Sequence, residues 1–233
     1  MAQKINPTSA RLGISQLWAY NTQFYGKSFK SYFLLFHYYM QSFWFLKKIS
    51  NATGFIINHQ KWKITQYADI VVNIYYTESF FALKKDIIEF YNLVQSTLNI
   101  LFKNKVKTCF YLMPHFSLSH NLLYSYSQFL ASEGLVAKKI LWTFSKLLHE
   151  YLNSLRLVYT PQGLKICKLK GFKIQIVGHI DDSKTQMAKS LNLSVGNSCL
   201  TSLQDSILYS PSVLYSKSGT CGLKIWLFYE FIQ

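Results

Sequence analysis

Chemistry in this chain falls to cations and aromatic rings. All of its 25 basic residues except Arg11 and Arg156 are lysine, and they face ten carboxylates, a formal net charge of +15. Ammonium groups in such excess meet phosphates as point charges, giving affinity and steep salt dependence without reading bases. Aromatic residues make up 17% of the chain. Tyr or Trp interleaved with Lys can stack on bases, but most rings in a folded chain serve its core or its protein interfaces. The pattern points to a folded protein facing a polyanion.

Other chemistry finds little to work with. The sequence holds no phosphate-binding GxxxxGK[ST], no GxGxxG and no HExxH. His115 and His120 are badly spaced for one helical face, and all six histidines read as core or solvent-facing. Asp181 and Asp182 read as a polar turn, since a metal site would need more oxygen ligands nearby. Cysteines at 109, 167, 199 and 221 form no CxxC pair and read as buried free thiols. Scarce carboxylates argue against paired acid–base hydrolysis, nucleases included. Neither an enzyme nor a cofactor is expected.

The elements that must position these groups alternate along the chain. Met1–Asn21 reads as an extended arm punctuated by Pro7 and Gly13, and Tyr25–Ile49 as an aromatic helix. Phe55–Ile64 and Ile70–Tyr76 read as strands. Lys84–Phe102 reads as a helix, with Ile87, Tyr91, Val94, Leu98 and Leu101 on one apolar face. Lys103, Lys105 and Lys107 form a basic turn before a strand at Thr108–Met113. A boundary is expected at Pro114–Asn121. Beyond it come helices at His120–Ser132 and Leu135–Val158, the second closed by Pro161 and Gly163. The rest reads as β-rich, with alternating strands at Phe172–Gly178 and Gly222–Phe231 and two or so between them, one ending near Tyr209 and Pro211. Both halves are basic, with a net of +9 over residues 1–132 and +6 over 133–233.

Met1–Lys30 lacks the apolar region of a secretory leader, so none is expected. Ser31–Leu46 is uncharged but short for a membrane span and contains His37, Gln41 and two serines. Thr108–Ser132 is longer but rich in Ser and His. No membrane span is expected. The alternative from another class is a basic peripheral membrane protein anchored through Ser31–Leu46.

Two ends of the chain carry a resemblance. Met1–Ile14 reads M-A-Q-K-I-N-P-T-S-A-R-L-G-I, Gly171–His179 reads G-F-K-I-Q-I-V-G-H, and Gly222–Phe228 reads G-L-K-I-W-L-F. These resemble the small-subunit ribosomal protein three family, whose patterns are M-G-Q-K-x-N-P-x-x-x-R-L-G-I, G-x-K-x-x-x-x-G-R and G-V-K-V-W-I-F. In the first pattern only Ala2 departs from the fixed positions. Met187-Ala188-Lys189 is similar to the family's I-A-R, while Gly196, Leu200, Leu203, Ile207 and Tyr209 keep the spacing of its E-G-R-V-P-L-H-T-L-R-A-D-I-D-Y run.

The resemblance implies an α+β protein with three parts. These are an N-terminal arm (1–21), a degenerate type II KH-like domain (22–118), and a C-terminal α+β domain (119–233) with helices on a mixed or antiparallel sheet. A KH loop clamps nucleic-acid backbone through a G-x-x-G turn. Here Leu83-Lys84-Lys85-Asp86 stands at that place without either glycine, which weakens the expectation of clamping. His179, Asn197 and Gln204 also replace family arginines, so bidentate phosphate contacts should be fewer. The resemblance further implies a place in the small-subunit head, bound to its rRNA and to ribosomal proteins ten and fourteen, lining the channel where mRNA enters. Lysines on the Ala131–Leu148 segment would face that mRNA. Candidate RNA contacts are Lys4, Arg11, Lys84, Lys85, Lys138, Lys139, Lys146, Lys173 and Lys189. Exposed aromatics such as Tyr25, Phe29 and Tyr32 would meet lineage-specific neighbours. A residue bias toward AT-rich codons, the M-x-Q-K-I-N-P opening and the missing arginines favour a mitochondrial, organelle-encoded form over a plastid one.

Overall fold

The β-branched and aromatic run Ile70–Glu78 forms the middle strand of a three-stranded sheet. The computed structural model describes residues 5–18, 29–53, 55–64, 70–78, 87–102, 106–113, 120–180, 187–216 and 219–232. The chain divides into two compact units, one of residues 19–122 and one of residues 1–18 with 123–233. The architecture is α+β, with four helices among the described residues.

The 19–122 unit runs α1 (Phe29–Thr53), β1 (Phe55–Ile64), β2 (Ile70–Glu78), α2 (Ile87–Phe102) and β3 (Val106–Leu112). Strands β1 and β2 pair antiparallel, whereas β2 and β3 are parallel. A parallel pair needs a crossover rather than a tight turn, and α2 lies on that connection. Val72, Ile74 and Tyr76 are buried with Leu46 of α1 and with Phe90, Val94, Leu98 and Phe102 of α2.

The α2 stripe agrees with the sequence expectation at Val94 and Leu98, which are buried, and differs elsewhere: Ile87 is exposed, and Tyr91 and Leu101 only flank the core. Apolar residues occupy more than one face of this helix, so spacing allowed two stripes. Ring packing selects between them, with Phe90 at 4.8 Å from Phe55. Helix α1 extends to Thr53, beyond the expected Ile49. It exposes Phe33, Phe36, Met40, Phe43 and Trp44. Among the described residues no helix is long and apolar enough to cross a membrane. Pro114 and most of the expected 114–121 boundary lie outside the described residues.

The second unit holds most of α3 (His120–Ser132), then α4 (Ala137–Glu150), β4 (Leu155–Thr160), β5 (Gly163–Gly178), β6 (Lys189–Gly196), β7 (Ser206–Ser216) and β8 (Gly219–Ile232). Its sheet is antiparallel in order β4-β5-β8-β7, and β6 pairs the far end of β5 beyond β4. Helix α4 packs on β5 and β6. Phe172, Ile174 and Ile176 are buried beside their partners Leu227, Ile225 and Leu223.

The expected helix Leu135–Val158 is therefore corrected. It ends at Glu150, and Leu155–Thr160 is a strand. Asn153 takes φ 70° in the turn between them, a conformation that Asn tolerates better than most residues. The following Val-Tyr-Thr is β-branched and aromatic, and Thr160 pairs with Gly163 across a two-residue turn. Leu152 and Leu155 happened to continue the helical spacing.

Strand β5 begins well before the expected Phe172, and a register shift between Leu169 and Gly171 changes which residues face the core along it. Cys167 and Leu169 are buried before the shift, and Phe172, Ile174 and Ile176 after it. A bulge of this kind breaks the period-2 signal in the sequence. Strand β7 continues past Pro211, which an edge strand accommodates because its outer side needs no donor.

Candidate nucleic-acid interface

The basic face of the second unit is built on α4, whose Ile140, Leu141, Phe144 and Leu148 are buried. That burial turns Lys138, Lys139 and Lys146 outward, where all three are exposed. Trp142 sits among them, 58% exposed, with the Lys146 ammonium 3.9 Å from the centre of its ring. At helical spacing, 139, 142 and 146 form one row. The sequence reading placed the lysines here but passed over Trp142. A large apolar residue on the polar side of an amphipathic pattern was the signal available.

Lys173 projects from β5 opposite Trp226 of β8, with its ammonium 5.7 Å from that ring. Trp226 stacks obliquely on Tyr209 at 5.3 Å and joins Ile207, Phe228 and Leu200 in a small second core. Lys173 is half-buried against this cluster, and Lys189 is exposed at the start of β6. The two residues occupy different strands. Lys4, Lys84 and Lys85 lie outside the described residues, and so does the glycine-less loop expected to stand where a KH clamp would.

Arg11 departs from the reading. Expected to meet RNA, it is 1% exposed. Its Nε donates to Asp205 O at 2.9 Å and its Nη1 to Pro7 O at 2.9 Å; its Nη2 donates to Leu200 O at 3.0 Å and to Ser202 O. Burial pushes its pKa below the ordinary value, against the pull of the Asp205 carboxylate. A planar fork of five donors suits this ring of carbonyls, and an ammonium would not.

Gln16 adds a bond from its Nε2 to Ile207 O at 2.7 Å. Residues 5–18, read as an extended arm, are instead coiled around a short 3-10 turn at Ser9–Arg11, with Gly13 N donating to Gln16 O. They clasp the segment leading into β7. The reason is that a buried cation gathers backbone around itself to replace its hydration.

Two motif glycines also meet. Gly171 and Gly196 are partners across β5 and β6. A Cβ on Gly196 would come 2.3 Å from Lys170 O, and its φ is +74°. One on Gly171 would come 2.7 Å from Asn197 O. Backbone contact this close excludes a side chain at either position.

A cavity of about 40 Å³ lies between the α3–α4 turn and the ends of β7 and β8, lined by Ala131, Ile140, Leu214 and Cys221 among others. It has room for a few waters, far less than a nucleotide needs. Among the described residues no group of three or more His, Cys, Asp or Glu is placed to hold a metal.

No family model matches the chain. A relative from Chondrus crispus, the small ribosomal subunit protein uS3m, is 38% identical over 229 residues, which is 98% of this chain and 94% of the relative.

Proposed function

The chain belongs to the small-subunit ribosomal protein three family in its mitochondrial form, and we propose that it is a structural constituent of the mitochondrial small ribosomal subunit, where it binds rRNA in the head and helps line the channel through which mRNA enters. The observation that carries this reading is the near end-to-end match to a mitochondrial member of the family. The lysine-dominated surface supports it, because distributed point charges suit a folded phosphate backbone. On the same reading the outward lysines of α4 meet mRNA, while Lys173 and Lys189 meet rRNA. Protein neighbours, ten and fourteen among them, and lineage-specific proteins cover exposed apolar side chains such as Leu157 and Trp44. Synthesis inside the organelle is part of the proposal.

Sedimentation of organelle extract tests the assignment. The chain is expected to travel with small-subunit particles and their rRNA after a modest salt wash, and its absence from those fractions would overturn the reading. Replacing Lys138, Lys139 and Lys146 together by Ala tests the finer part. Translation through structured mRNA should fall more than subunit assembly does. Equal loss of both would assign these lysines to rRNA instead.

A further inference from the structure

We propose that Trp142 is a stacking platform for an unpaired RNA base, held between two phosphate-binding lysines. This rests on α4 facing RNA, and adds to it a residue and a mode of contact. The indole is exposed on the solvent side of α4, although that helix buries Ile140, Leu141, Phe144 and Leu148 and half-buries Leu147. Its row companions on the helix are Lys139 and Lys146.

A protein partner would need a contiguous apolar patch here, and the neighbouring exposed side chains are charged instead. A polyanion carrying aromatic bases matches both components. The ammonium of Lys146 rests 3.9 Å from the ring centre, which restrains the indole and keeps a cation beside it. An incoming nucleotide offers the ring a base and offers the ammonium a phosphate. Both groups then exchange one another for partners that reinforce each other. Stacking tolerates any base, as a protein reading changing mRNA requires, and it demands an unpaired one.

The test uses the purified full chain with two probes, a short single-stranded oligouridylate and heparin, a polyanion without bases. The emission of Trp142 is isolated as the difference between wild type and W142F. Oligouridylate should quench that difference signal and heparin should not. W142L should bind oligouridylate about tenfold more weakly at unchanged salt slope, and W142F should recover most of the loss. Thermal melting checks that W142L remains folded, and W142F keeps the question answerable if it does not.

Equal quenching by heparin, or wild-type affinity in W142L, overturns the platform. Wild-type oligouridylate binding by W142L together with its loss from small-subunit particles would assign the indole to a protein neighbour, again overturning it. If K139Q and K146Q weaken both probes while W142L does nothing, stacking fails and the RNA-facing reading of α4 stands. If the lysine variants also bind normally, both fall.

Discussion

Replacing Arg11 by alanine removes a buried guanidinium that donates to four backbone carbonyls, those of Pro7, Leu200, Ser202 and Asp205. Each bond from a charged donor is worth about 1.5–3 kcal/mol, and dehydrating the cation costs several kcal/mol in return. Alanine abolishes both terms but leaves the carbonyls short of donors, partly relieved where water can enter. The expected net loss is about 3–4 kcal/mol. For a chain of this length that lowers the midpoint of thermal unfolding by roughly 6–16 °C.

Arg11→Lys should lose about half as much, since one ammonium lacks the fork that reaches four acceptors. Denaturant unfolding of the purified chain measures the loss. Amide hydrogen exchange should show it in residues 197–207, where three of the four acceptors lie. If R11A stayed within about 0.5 kcal/mol of wild type, the clasp would not hold the unit together. Lower RNA affinity at unchanged stability would return Arg11 to the RNA-facing surface and refute the reasoning outright.

Two further outcomes are expected. Gly196→Ala should destabilise by more than about 2 kcal/mol in denaturant unfolding, because the added methyl meets Lys170 O at 2.3 Å and the backbone sits at φ +74°; a loss below about 0.5 kcal/mol would show that the β5–β6 contact yields freely. Burial pushes the Tyr229 hydroxyl up to about 12, with Arg156 drawing it partly back. The unfolded chain ionises this group near pH 10, so its contribution is intact below about pH 10 and is lost as pH rises toward 12, by up to about 3 kcal/mol. The stability difference between wild type and Tyr229→Phe should follow that window; curves that stay parallel through it would refute the burial argument.

Periodic local patterns were readable in advance. The run at Ile70 became β2, and the alternation at Phe172 and Gly222 became the paired centre of the larger sheet. The reading failed where two periods coincided, as at Leu152 and Leu155, or where a bulge interrupted one, as at Lys170. Helix α2 was found with Val94 and Leu98 on its buried stripe, but not with Phe90 and Phe102, since the choice between Ile87 and Phe90 depended on where Phe55 would stand.

The interface shows the same division. Lys138, Lys139 and Lys146 were picked out by the family resemblance, and the burial of Ile140, Leu141, Phe144 and Leu148 turns them outward, but the ring beside them was overlooked.

Charge, the lysine–aromatic composition and the end motifs are properties of residue order, and they were enough to point to a family and a polyanionic partner. Whether an arginine meets phosphate or carbonyl is not such a property. Arg11 and the backbone of residues 200–205 are far apart in sequence, and only folding brought them together, as it brought Gly171 opposite Gly196. Hydrophobic spacing is written into neighbours along the chain, whereas burial of a cation depends on what distant segments enclose it.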